Sequence, residues 1–126
     1  MIEAEAIHLV RQHFESLFPK TCANCGHQYA TLRDYILNTK RLGGALSYDA
    51  EDGDWSTPEP VGSQALANCA CGSTLALTTD GMALPSRLAL LEWLKAETHR
   101  RGVSSSALLE TMRDVIRQQV VADADA

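Results

Sequence analysis

The segments Thr21-Cys22-Ala23-Asn24-Cys25-Gly26-His27 and Asn68-Cys69-Ala70-Cys71-Gly72-Ser73 contain every cysteine of the chain, four in all, and their reading decides the fold. Two close pairs joined by a long insert are what a tetrahedral four-thiolate site requires. Each pair supplies two ligands from one tight turn, and the insert brings the turns together. A glycine follows each pair. A turn that aims backbone N–H groups at sulfurs needs a residue with positive φ, which glycine adopts at least cost. Such N–H groups offset thiolate charge alongside the ion itself. Cys22, Cys25, Cys69 and Cys71 are therefore read as ligands of one structural zinc ion per chain. The same ligand set also suits an iron–sulfur cluster, and a redox dithiol or simply buried thiols are the remaining readings. A thioredoxin-like reading of Cys22-Ala23-Asn24-Cys25 lacks its βαβ surroundings.

These turns resemble the knuckles of the zinc-ribbon family, in which CxxCG-type turns at the tips of two β-hairpins clamp one zinc. The resemblance covers Thr21–His27 and Asn68–Ser73. It departs from the family in two ways: the second pair is CxC, and the insert contains a helix of its own. The resemblance thus implies the metal site more firmly than the fold. His27, beside the first knuckle, is read as exposed rather than as a ligand. His8 and His13 are five residues apart, on different faces of one helix, and form no site together.

Outward from the knuckles, Ala6, Leu9, Val10, Phe14 and Leu17 mark one face of a helix over Ile2–Leu17, which Pro19 stops. Thr31 is the N-cap of a second helix, Leu32–Lys40, with Asp34 in its first turn and Gly43-Gly44 as its stop. Ala45–Tyr48 is a short strand. Asp49–Pro60 reads as an exposed acidic loop or hairpin tip. Gln64–Ala67 and Ser73–Thr79 flank the second knuckle as strands, with Leu75, Leu77 and Thr79 on one face. Asp80-Gly81 is a turn. Pro85 opens a helix running to about Arg100, Gly102 closes it, and Ser104–Ser106 cap a final helix carrying Leu108, Leu109, Met112, Val115, Ile116 and Val120. The expected fold is α+β: a small zinc-stabilised β-hairpin region with N-terminal helices and a C-terminal αα-hairpin. One zinc-binding domain spans 1–126, with the α+β part at 1–83, the helical hairpin at 84–121 and a disordered tail at 122–126.

Charge narrows the function. Asp49, Glu51, Asp52, Asp54 and Glu59, with no base between Ser47 and Val61, account for the whole excess of 16 acids over 11 bases. The rest is balanced, so a general attraction to nucleic acid is not expected. Arg100, Arg101, Arg113 and Arg117 give the last two helices a basic flavour, which Glu92, Glu97, Glu110 and Asp114 offset. A packing or dimerisation hairpin is the favoured reading over a DNA-binding helix pair. No apolar run reaches the length of a membrane span, and the charged N-terminus has no apolar core of a secretory signal. Reduced, clustered cysteines then point to the cytoplasm.

A four-thiolate zinc site has no open position for substrate, so it is structural. No nucleophile elbow, phosphate loop or calcium loop occurs elsewhere, and no catalytic residue is assigned. The acids around Trp55 read as a solvated loop. Trp55 itself is either a partner anchor or a cap on the hairpin. The expectation is a small cytoplasmic zinc-binding protein, not an enzyme. It would act as a regulatory or adaptor protein through protein–protein contacts, with self-association through the C-terminal helices. The alternatives are an iron–sulfur or thiol-based redox sensor, and a DNA-binding transcriptional regulator.

Overall fold

The computed structural model describes residues 1–123. Helix α1 (Glu3–Ser16) buries Ala6, Ile7 and Val10, and the Glu5 carboxylate accepts the Ile2 N–H at its start. Strands β1 (Lys20–Thr21) and β2 (Gln28–Tyr29) pair antiparallel, leaving residues 22–27 as the tip of a short hairpin. Helix α2 (Leu32–Asn38) begins as its cap dictates, with the Asp34 N–H donating to Thr31 Oγ1. Strands β3 (Lys40–Ser47), β4 (Ser63–Asn68) and β5 (Thr74–Thr78) form an antiparallel sheet in that order. The β4–β5 register, from Gln64↔Thr78 to Asn68↔Thr74, makes the second cysteine pair the tip of this hairpin. Helices α4 (Leu84–Arg101) and α5 (Ser105–Asp123) follow, separated by Gly102. The architecture is α+β with a C-terminal helical pair.

Two expected boundaries are corrected. Helix α2 ends at Asn38, and β3 starts at Lys40, inside the segment read as the end of the helix. Gly43-Gly44 is not a helix stop. Gly43, at φ +61°, sits in a bulge where pairing jumps from Leu42↔Leu66 to Leu46↔Gln64. Four steps along β3 thus oppose two along β4, and glycine serves that bulge as it would a helix end. The acidic loop is also only partly solvated. Tyr48–Glu51 is a single helical turn, α3, and Asp49 is buried, its carboxylate accepting the N–H groups of Val61 and Gly62 at 2.9 and 3.0 Å. One buried acid therefore ties the loop's end to its beginning. Trp55 is half-buried and packs back on the core.

Among the described residues one core cluster draws on α1, the sheet, α4 and α5, and includes Leu75, Leu77, Leu90, Leu94, Leu108, Met112 and Ile116. The apolar face of α5 lies within the chain rather than on its surface. Polar side chains of α5 reach the bulge. Glu110 accepts the Ala45 N–H, Ser106 Oγ donates to Ala45 O at 2.6 Å, and Arg113 Nη2 donates to Leu66 O at 2.6 Å. Backbone groups that the bulge removes from the ladder thereby regain partners, as buried polar groups must. The segment expected as a tail starts inside α5: Asp123 accepts from Arg11 at 2.7 Å, and residues 124–126 lie outside the described residues. No helix among the described residues is long and apolar enough to cross a membrane.

Candidate metal centre

Each hairpin tip is closed by the same pair of backbone bonds. In the first, Cys22 N–H donates to His27 O and Gly26 N–H to Cys22 O, both at 2.9 Å. In the second, Cys69 N–H donates to Ser73 O at 2.8 Å and Gly72 N–H to Cys69 O at 2.9 Å. Gly26 and Gly72 take φ values of +76° and +92°, the conformation that motivated reading a glycine after each pair. A side chain there would strain the turn that holds both sulfurs of its pair.

The tips meet. Cys22 Sγ lies 3.7 Å from Cys71 Sγ, and Cys25 Sγ lies 3.7 Å from Cys69 Sγ, so the short contacts run across the two hairpins. All four sulfurs lie within 4.8 Å of one another. Four sulfurs held tetrahedrally at about 2.3 Å from one ion are about 3.8 Å apart. The cage therefore fits a single metal ion. No sulfur is in a disulfide. Cys22 and Cys69 are buried, whereas Cys25 and Cys71 reach solvent, giving the cage a dry side and a wet side.

Hydrogen-bond donors are not shared evenly among the sulfurs. The Tyr29 hydroxyl donates to Cys69 Sγ at 2.9 Å, and the Cys71 backbone N–H also reaches Cys69. Both donors hold the Cys69 thiol below its usual range. Cys71 is served by the Ser73 hydroxyl, by Asn24 Nδ2 at 3.5 Å and by the Ser73 N–H, which together bring it down to about 5. At Cys25 the His27 N–H pulls the other way from desolvation and the neighbouring thiols, and the latter prevail, pushing it up to about 11. The bond to Cys69, with burial, raises the Tyr29 phenol above its usual range, so it remains a donor. Donors to the second-knuckle sulfurs thus favour the thiolate, the form that metals bind.

Asn24, Tyr29 and Ser73 were not singled out from sequence. Asn24 and Ser73 lie inside the quoted knuckle segments, where a polar side chain beside a ligand is itself a signal. Tyr29 is two residues beyond the first tip, and its approach to Cys69 depends on hairpin docking. Among the histidines, His27 lies outside the sulfur cage, with its ring edge-on to Tyr29 at 4.5 Å between centroids. His13 Nε2 sits 3.0 Å from Thr78 O, linking α1 to the end of β5, and His8 is exposed. Four arginines of the helical pair are engaged within the chain: Arg101 with Glu3 and Glu97, Arg100 with Glu97, Arg113 with the sheet, and Arg117 with Ile36 O.

No family model, curated protein or solved structure matches the chain.

Proposed function

We propose that this chain is a zinc-binding protein in which Cys22, Cys25, Cys69 and Cys71 hold one structural zinc ion. In this reading the ion fastens two hairpin tips in the manner of a zinc ribbon. The protein acts in a reducing compartment such as the cytoplasm, as a regulatory or adaptor protein working through contacts rather than as a catalyst. The observation that carries the reading is the pair of 3.7 Å sulfur contacts across the knuckles, the edge length of a tetrahedron around one ion. Clusters of several irons set their cysteines on different metal atoms and spread the sulfurs wider, so the compact cage favours one ion. A complete set of four thiolates leaves no coordination position for substrate, which supports a structural role. Engagement of Arg100, Arg101, Arg113 and Arg117 within the chain leaves nucleic acid out of the proposal.

Native mass spectrometry tests the metal directly. One zinc per chain and a colourless protein are expected. Visible absorbance with bound iron overturns the zinc assignment. Cys22→Ser and Cys69→Ser variants should each lose the metal and melt earlier; unchanged metal content and melting in both would sink the site.

A further inference from the structure

The four sulfurs differ in a way that marks one of them for chemistry. Cys22 and Cys69 are buried; Cys25 and Cys71 face solvent. Of those two, Cys71 accepts from the Asn24 amide, the Ser73 hydroxyl and the Ser73 N–H. Against Cys25 the described residues place the His27 N–H and neighbouring cysteine sulfurs. A metal-bound thiolate is deprotonated outright, so what remains to set its reactivity is access and the charge that donors withdraw. Exposed where Cys22 and Cys69 are buried, and served by fewer donors than Cys71, Cys25 combines access with retained charge and is the most reactive sulfur of the cage. Its nearest thiol partner is Cys69, 3.7 Å away on the other hairpin.

We propose that Cys25 is a modification site for hydroperoxides, and that its oxidation closes a Cys25–Cys69 disulfide across the two knuckles. The proposal rests on the zinc reading above. The Cys25 sulfur attacks one peroxide oxygen: an S–O bond forms, the O–O bond breaks, and the departing oxyanion takes a proton from water. The Cys69 sulfur then attacks the Cys25 sulfenic acid, forming the S–S bond and expelling hydroxide, which is also protonated by water. Two electrons pass from the two thiolates to one peroxide. Two ligands are thereby lost together, and the cage no longer retains its ion. A site that holds the fold would thus also report peroxide by releasing metal.

The full chain, its zinc content measured first, is treated with hydrogen peroxide at up to one equivalent. Zinc release is followed with a chromogenic chelator, and peptides are mapped without reduction. Zinc release should track a Cys25–Cys69 cross-linked peptide. In parallel, limiting iodoacetamide on the untreated protein should label Cys25 ahead of Cys71. An Asn24→Ala/Ser73→Ala double variant, which keeps all four ligands, should bring that ratio toward one. Labelling of Cys71 at or ahead of the rate of Cys25, a ratio unmoved by the double variant, or a first disulfide lacking Cys25 overturns the proposal. A protein that carries no zinc at the outset instead defeats the metal reading, so the two failures are distinguishable.

Discussion

The Tyr29 hydroxyl donates to Cys69 Sγ across 2.9 Å, joining β2 of the first hairpin to the knuckle of the second. Its ring stands edge-on to Tyr35 at 5.7 Å, and Tyr35 in turn donates to Leu75 O in the sheet. The sulfur cage is therefore anchored to the core through two edge-to-face phenols as well as through the chain. Tyr29→Phe keeps the ring packing and deletes one donor. Zinc affinity should fall about tenfold, the lower end of what such outer contacts contribute, with the fold retained. Competition against a chromogenic chelator measures it. Cobalt loaded in place of zinc should show a shifted sulfur-to-metal absorption band, a signature that loss of packing alone does not produce.

Removing the ion should loosen the knuckles before it loosens the helices. The first hairpin is held by a ladder of only two residue pairs, and structural zinc contributes on the order of 10 kcal/mol in small zinc-dependent peptides. Chelator-treated protein should therefore melt earlier and lose hydrogen-exchange protection first at residues 20–29 and 68–74. Protection that persists there after metal removal would falsify a structural role for the ion.

The site was more legible than the sheet, for a physical reason. All four ligands lie in two short segments, so spacing and glycine placement expose them without any long-range information. Leu75 and Leu77 were likewise readable, because β5 buries alternate residues, and Thr79 just past its end continues the pattern. The first five residues of β3 are all exposed, so no apolar alternation announces that stretch. Its conformation is set by pairing with β4, more than twenty residues away, and by α5 side chains from still further along the chain. Asp49 was hidden similarly. Nothing local separates it from Glu51, Asp52 and Asp54 until Val61 and Gly62 return to meet it.

Asp49→Ala should consequently open the loop that the other acids leave solvated. Two backbone N–H groups lose a charged acceptor, and bonds to charged groups contribute about 1.5–3 kcal/mol each at most. A destabilisation of about 2 kcal/mol in urea is expected. Proteolysis near Trp55 should accelerate, while Asp52→Ala changes neither reading. Equal sensitivity of the two variants would reject a special role for the buried acid.

Arg113 makes an analogous test of the bulge. Its guanidinium donates to Leu66 O and Gly43 O, and burial lowers its pKa from the ordinary arginine value. Arg113→Ala leaves carbonyls of the bulged ladder unpaired and should destabilise by about 1–3 kcal/mol. Arg100, a largely exposed partner of Glu97, should be replaceable by alanine within about 0.5 kcal/mol. Similar losses from both would mean that general charge, rather than the bulge contacts, supports the helical pair.

Acid should release the ion, and the direction follows from the thiols. Metal binding requires thiolates, so protons compete with zinc and affinity rises with pH. Cys71, brought down to about 5 by Ser73 and Asn24, and Cys69, lowered by Tyr29, resist protonation, whereas Cys25, pushed up to about 11, readily takes a proton once metal contact weakens. In the metal-free chain, a folded-state pKa below the unfolded one adds stability that is present above the unfolded thiol range and lost as pH falls through the folded value. Both effects make acid destabilising. Zinc retained after desalting should therefore decline as pH is lowered from about 8 to about 4. Asn24→Ala and Ser73→Ala should move the midpoint upward, because each removes a donor that holds Cys71 as a thiolate. A midpoint unchanged in both variants would show that these side chains do not tune the cage.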